Sequence, residues 1–231
     1  MKVVILQSNY IPWKGYFDLI QDADIFVFYD EVQYTKNDWR NRNKIYTKNG
    51  LQWLTIPVSK DAVNGKISEV KLTPEWQELH FKSLYLGYKS APYFFQLEEL
   101  INDYLKEKKW ESLKELNQYL IVKISRLIGL DTRFLDSAAF TLAGDKIERL
   151  LDLLTQVGAT EYISGPSGMN YLSEANHLFT AKNIKLSFKK YPEFVPYKQL
   201  HEPFENAVSI LDLIANIEYS QIKKYCNQSN F

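Results

Sequence analysis

Apolar positions along the chain fall into two kinds of run. Short dense ones recur at Val3-Val4-Ile5-Leu6, Ile25-Phe26-Val27-Phe28-Tyr29, Phe134-Leu135, Tyr162-Ile163 and Ile184 to Phe188. Runs of this length, rich in β-branched and aromatic residues, suit strands buried on both faces. Between them lie stretches with helical spacing: Phe17, Leu19 and Ile20; Ile147, Leu150, Leu151 and Leu154 within 145–157; and a segment over 173–182. Strand, helix, strand at the amino end and again from residue 133 onward predicts βαβ units, hence parallel pairs.

The middle of the chain reads differently. A polar stretch, Lys36 to Asn43, is too polar for core and too aromatic for a linker. Ile45-Tyr46-Thr47 and Leu51 to Val58 then flank Asn49-Gly50, the cue for a tight antiparallel hairpin. Ile67, Val70 and Leu72 suggest one more short strand, and Thr73 ahead of Pro74 is placed to cap a following helix. From 74 to 130 three helical segments follow, closed by Gly129. The tail over 194–206 is irregular, and a last helix starts at Ser209. The expected architecture is one α/β domain over 1–231, with a mixed, largely parallel sheet flanked by helices and a helical insertion at 74–130.

Composition narrows the partners. Lys+Arg and Asp+Glu are 28 each, so the net charge is zero and no overall field holds a polyanion; nucleic acid is not expected. The single cysteine, Cys226, has no mate for a disulfide, which fits a reducing, cytoplasmic address. No run approaches the roughly 20 apolar residues of a membrane span, and no leader is expected at the start. Aromatic residues reach 15%, with 16 Tyr; buried hydroxyls need partners, so tyrosine suits polar pockets as well as core.

The candidate chemistry sits where the parallel strands end, since open α/β sheets bind ligands at their carboxyl edges. Gln7 and Asn9 follow the first strand, with Tyr10, Pro12 and Trp13 able to wall a pocket; Asp30 and Gln33 follow the second. The competing account makes Pro12 and Gly15 punctuation and the aromatics core. Asp30 can hold a ribose hydroxyl, accept a proton or pair with Arg42, or it can be a turn aspartate. Arg40 and Arg42 suit a two-pronged grip on phosphate or carboxylate, or simple solubilisation. Ser164, Gly165, Ser167 and Tyr171 follow a later strand, where Gly165-Pro166-Ser167-Gly168 is either a phosphate cradle or a turn; it lacks the ending of a P-loop. His80 is a packed helix residue or a group that titrates near neutrality in a site. With 3 His and no His/Cys cluster, no metal site is expected, and no residue pattern names a cofactor.

With these residues in place the chain resembles the WbqC-like protein family over nearly its whole length. The carriers are Asn9-Tyr10, Pro12-Trp13, Gly15-Tyr16-Phe17, Ala23-Asp24, Asp30 to Tyr34, Asn41-Arg42-Asn43, Trp53 to Val58, His80, Ala91-Pro92, Tyr162 to Gly165 with Gly168 and Tyr171, and Ser209 to Asp212. Leu6 stands where the family pattern has His or Met, Ser8 where it has Pro, and Phe204 to Val208 departs from a Phe-Val-Pro start. A looser likeness is to nucleotidyltransferase-type folds, but Trp13-Lys14-Gly15-Tyr16 lacks both histidines of their His-x-Gly-His turn. The resemblance implies a link with O-antigen and other surface-polysaccharide biosynthesis. It implies a transferase acting on a nucleotide-linked or carrier-linked sugar, with Arg42 on phosphate, Asp30 or His80 as base, and Tyr10, Trp13, Asn43 and Tyr171 about the ligand. The rival implication, favoured by Leu6, is a non-catalytic binder of the same small molecule or of a partner enzyme.

Overall fold

The computed structural model describes residues 1–191 and 194–226. In chain order the elements are β1 (Lys2–Leu6), α1 (Lys14–Asp22), β2 (Ile25–Phe28), β3 (Arg42–Thr47), β4 (Gly50–Thr55), α2 (Trp76–Tyr88), α3 (Phe94–Asn102), α4 (Leu113–Leu127), β5 (Arg133–Asp136), α5 (Lys146–Gln156), β6 (Glu161–Ser164), α6 (Met169–Leu172), α7 (Asn176–Ala181), β7 (Lys185–Phe188), α8 (Ile210–Asn216) and α9 (Tyr219–Cys226). Five strands form one sheet in the order β5-β2-β1-β6-β7, and every neighbouring pair is parallel. The α/β class read from the sequence is the class observed. The antiparallel hairpin is present too, but β3 and β4 pair only with each other, as a sheet of two strands. Its turn leaves Thr47 paired with Gly50, whose φ of 92° is a conformation that glycine adopts without strain.

The period of two along the strands explains the layers. Val3, Ile5, Ile25 and Val27 point to one face, where they meet Leu150, Leu151 and Leu154 of α5 and Phe179 of α7. Val4, Phe26 and Phe28 point to the other, into a larger core shared with α1, α3, α4 and α8. Dense apolar runs are what a strand covered on both faces requires, and each fully buried Phe or Leu contributes about 1.5–3 kcal/mol.

Three local expectations are corrected. Residues 67–69 form a single 3₁₀ turn in place of a strand, and nearby pairing is limited to isolated bridges such as Val58 with Leu72. Thr73 does not cap α2; its hydroxyl donates to the Pro57 carbonyl, and α2 starts after Glu75 in a left-handed conformation. Its polar neighbours predict that Cys226 lies in a polar tail, but it is buried at the end of α9, where burial pushes its thiol pKa up.

Candidate functional site at the strand ends

From β1 the chain crosses to β2 on one side, and it later places β6 on the other. That reversal opens a crevice at the carboxyl ends of β1 and β6, where ligands of open parallel sheets bind. A cavity of about 840 Å³ lies there, lined among others by Gln7, Asn9, Trp13, Tyr29, Gln33, Lys146, Arg149, Tyr171 and the loop Ser164 to Gly168. Its volume falls within the range of about 300–1,000 Å³ common for small-molecule sites.

The sequence builds this crevice through close approaches. A Cβ on Gly15 would overlap the Trp13 indole, so the ring can lie over the start of α1 only because residue 15 is glycine. Trp13 is held from its far side by Tyr191 and Phe194, with ring centroids 5.2 and 5.4 Å away. On the β6 side a Cβ at Gly168 would collide with the Ser164 hydroxyl, so the 165–168 turn can fold tightly over the strand end only with glycine there. The Tyr16 hydroxyl donates to the Gln7 carbonyl at 2.9 Å and fixes the floor.

Two cations, Lys146 and Arg149, line the space, and a third, Arg40, holds two of its lining residues from behind. Arg40 donates to Gln7 Oε1 at 2.9 Å and to Asn9 Oδ1, and it stands 3.7 Å from Asp38. Lys146 and Arg149 line the cavity from the first turn of α5, and neither makes an ion pair among the described residues. Lys146 Nζ lies 3.9 Å from the Tyr171 ring centroid. Positive side chains at a helix start oppose the macrodipole, a small penalty that a bound anion would relieve. Tyr171 has its hydroxyl pKa raised, by burial first and then by Tyr29. Among the described residues no cluster of three or more His, Cys, Asp or Glu could hold a metal.

The expected site residues divide into two groups. Gln7, Asn9, Trp13, Gln33, Ser164, Gly165, Ser167 and Tyr171 line the cavity together. Asp30, His80, Tyr10, Arg42 and Asn43 do not. Asp30 is fully buried; Oδ1 accepts the Ser8 N–H at 2.8 Å and Oδ2 accepts the Gln118 amide at 3.0 Å. Burial raises its pKa, and these two donors pull the other way. His80 lies in the helical layer: Nε2 donates to the Thr55 carbonyl at 3.2 Å, which leaves Nδ1 to accept from the Tyr10 hydroxyl at 2.8 Å. That neutral tautomer fits a pKa lowered by burial to about 4.

Arg42 sits on the outer face of β3, its guanidinium 4.4 Å from the Trp53 ring centroid and one nitrogen donating to the Asn37 carbonyl. Asn43, on the opposite face, donates to the Tyr10 and Ile11 carbonyls. It also borders a second, smaller cavity with Trp39. Lys146, Arg149 and Tyr29 went unselected in the sequence. The signal that could have found the first two is a pair of cations three residues apart behind the cap Asp145, where acidic residues are the rule.

Fold and cavity together define a parallel α/β protein with a crevice at its switch point, lined by Lys146 and Arg149. No helix among the described residues is long and apolar enough to cross a membrane. The model of the WbqC-like protein family matches residues 7–224, and the chain belongs to that family. It is similar to the uncharacterized protein Rv1507c of Mycobacterium tuberculosis, with 42% identity over 231 residues, covering 98% of this chain and 99% of that protein. No solved structure matches the chain at a significant level.

Proposed function

We propose that the protein is a cytoplasmic transferase that takes a nucleotide-linked or carrier-linked sugar into the strand-end cavity and serves bacterial surface-polysaccharide biosynthesis. The observation that carries this reading is the pair Lys146 and Arg149, neither in an ion pair among the described residues, beside hydroxyl and amide groups in one crevice. A phosphate there gains charge-assisted hydrogen bonds, and a guanidinium can grip two of its oxygens. In the transfer the bond between the sugar's anomeric carbon and the phosphate oxygen breaks and its electron pair stays on the phosphate. The acceptor hydroxyl forms the new bond and its proton passes to a leaving phosphate oxygen. The two cations would stabilise the charge developing on that leaving group.

A second reading, a protein that binds the sugar nucleotide without turning it over, is favoured by one observation. No carboxylate and no imidazole is among the described residues lining the cavity. Calorimetry and thermal shift against UDP-, GDP- and dTDP-linked sugars test both readings. One compound should stabilise the protein by about 2.7 kcal/mol at 100 times its dissociation constant. Arg149→Ala should weaken that binding by about tenfold to a hundredfold and leave the unliganded melting temperature unchanged, because the Arg149 side chain has no hydrogen-bond or ion-pair partner among the described residues. Silence from the whole panel sinks the binding claim; binding with no release of nucleotide in the presence of saccharide acceptors selects the second reading.

A further inference from the structure

A second cavity of about 330 Å³ adjoins the first, lined by Asn9, Pro12, Trp13, Trp39, Asn43 and Ala207. Asn9 and Trp13 line both spaces, so the two share a wall. Their chemistry differs. The larger has Lys146 and Arg149 at its border, whereas no charged residue among those described lines the smaller. Two indoles and a pyrrolidine ring supply flat apolar surface, and Trp39 is 44% exposed although its ring lies 5.6 Å from that of Trp53. Asn9, in the shared wall, spends its Oδ1 on Arg40, and no protein group among the described residues accepts from its Nδ2.

We infer that the smaller cavity is a subsite for one neutral saccharide ring, held by stacking of its C–H face on Trp39 and Trp13 and by the free Asn9 amide. A pyranose has an apolar face and a polar rim, which is the pairing these walls present; a phosphate would find no cation, and a purely apolar ligand would leave the Asn9 amide unsatisfied. The volume stands near the lower end for small-molecule sites and suits a single ring better than a nucleotide. The inference rests on the proposed function for its meaning as an acceptor position, but its binding claim stands on this cavity alone. Through the shared wall, a sugar here is next to a ligand in the larger crevice.

Saturation-transfer NMR with methyl glycopyranosides of gluco, galacto, manno and N-acetylglucosamine type tests it on the full chain. At least one should receive saturation at its ring C–H protons. Two variants should abolish the effect: Trp39→Ala, which removes a stacking face, and Ala207→Phe, which fills the space from an exposed position. Neither should lower nucleotide-sugar binding by more than about twofold, and Arg149→Ala should leave methyl glycoside binding intact. No transfer from any glycoside overturns the inference, as does transfer that survives Ala207→Phe in a folded protein. If nucleotide-sugar binding fails while glycosides bind in this pattern, the subsite stands and the proposed function falls.

Discussion

The two sides of β1 treat their polar residues in opposite ways. Toward β2, Asp30 accepts from Ser8 and Gln118, Gln118 also donates to Asp136, and Asp136 pairs with Lys114 at 2.8 Å. Toward β6, Ser167 and Tyr171 are exposed, and Lys146 and Arg149 make no ion pair among the described residues. Asp30 is covered there by α4, and its buried carboxylate is satisfied internally. The second edge is left open by the reversal of strand order. Both edges end in polar residues; the difference lies in whether their hydrogen-bonding capacity is already used, and unused capacity beside a cavity marks a binding surface better than polarity does.

The sharpest way to break this comparison is Asp30→Ala. It leaves the buried Ser8 N–H without an acceptor and takes from the Gln118 amide one of its two, so unfolding in urea should show a loss of about 3 kcal/mol. The protein that remains folded should still bind ligand normally. A stable variant with lost ligand affinity would move Asp30 from the structural edge to the working one.

His80 offers the next largest effect, read through pH. Its folded pKa is depressed to about 4 from an unfolded value near 6.5, so between these values the unfolded chain binds the extra proton. Its contribution is therefore intact above about pH 6.5 and falls away as pH drops toward 4. Between pH 7 and pH 5 the loss is about 2 kcal/mol. His80→Gln should flatten that part of the stability curve while lowering stability at neutral pH, since Gln cannot both donate to Thr55 and accept from Tyr10 in the same geometry. Equal slopes for the two proteins would show that the imidazole is already solvated.

The smallest effect is expected from Arg42→Lys. The planar stack on Trp53 is lost but a cation remains near the ring, so stability should fall by no more than about 1 kcal/mol. Affinity for nucleotide sugars should not change. A tenfold drop in affinity would bring Arg42 back to the ligand and dissolve the distinction between it and Arg40.

Much of the fold was legible because its signals are local. A β-branched run covered on both faces, a cap such as Asp145 or Ser209 and a left-handed Gly50, Gly129 or Gly158 each follow from a few neighbouring residues. The strand-end residues Gln7, Asn9, Ser164 and Tyr171 could be chosen in the same way, since a parallel strand's carboxyl end is a local address. The failed strand at 67–72 shows the limit, for spacing cannot say whether a partner strand is near enough to pair.

By itself, then, the sequence determined the α/β class, the parallel pairing of its buried strands and the family. Tertiary structure alone decided which polar groups are spent. Arg40 and Arg42 are two residues apart in a polar stretch, yet one reaches Gln7 and Asn9 while the other lies on Trp53. Asp30 and His80 have the chemistry of catalysts, and both are enclosed by partners 22 to 88 residues away along the chain. Lys146 and Arg149 come to the site from more than 130 residues beyond β1, through a crossing to the far side of the sheet. Burial and hydrogen-bond satisfaction are sums over contacts between distant segments, and no local pattern carries them.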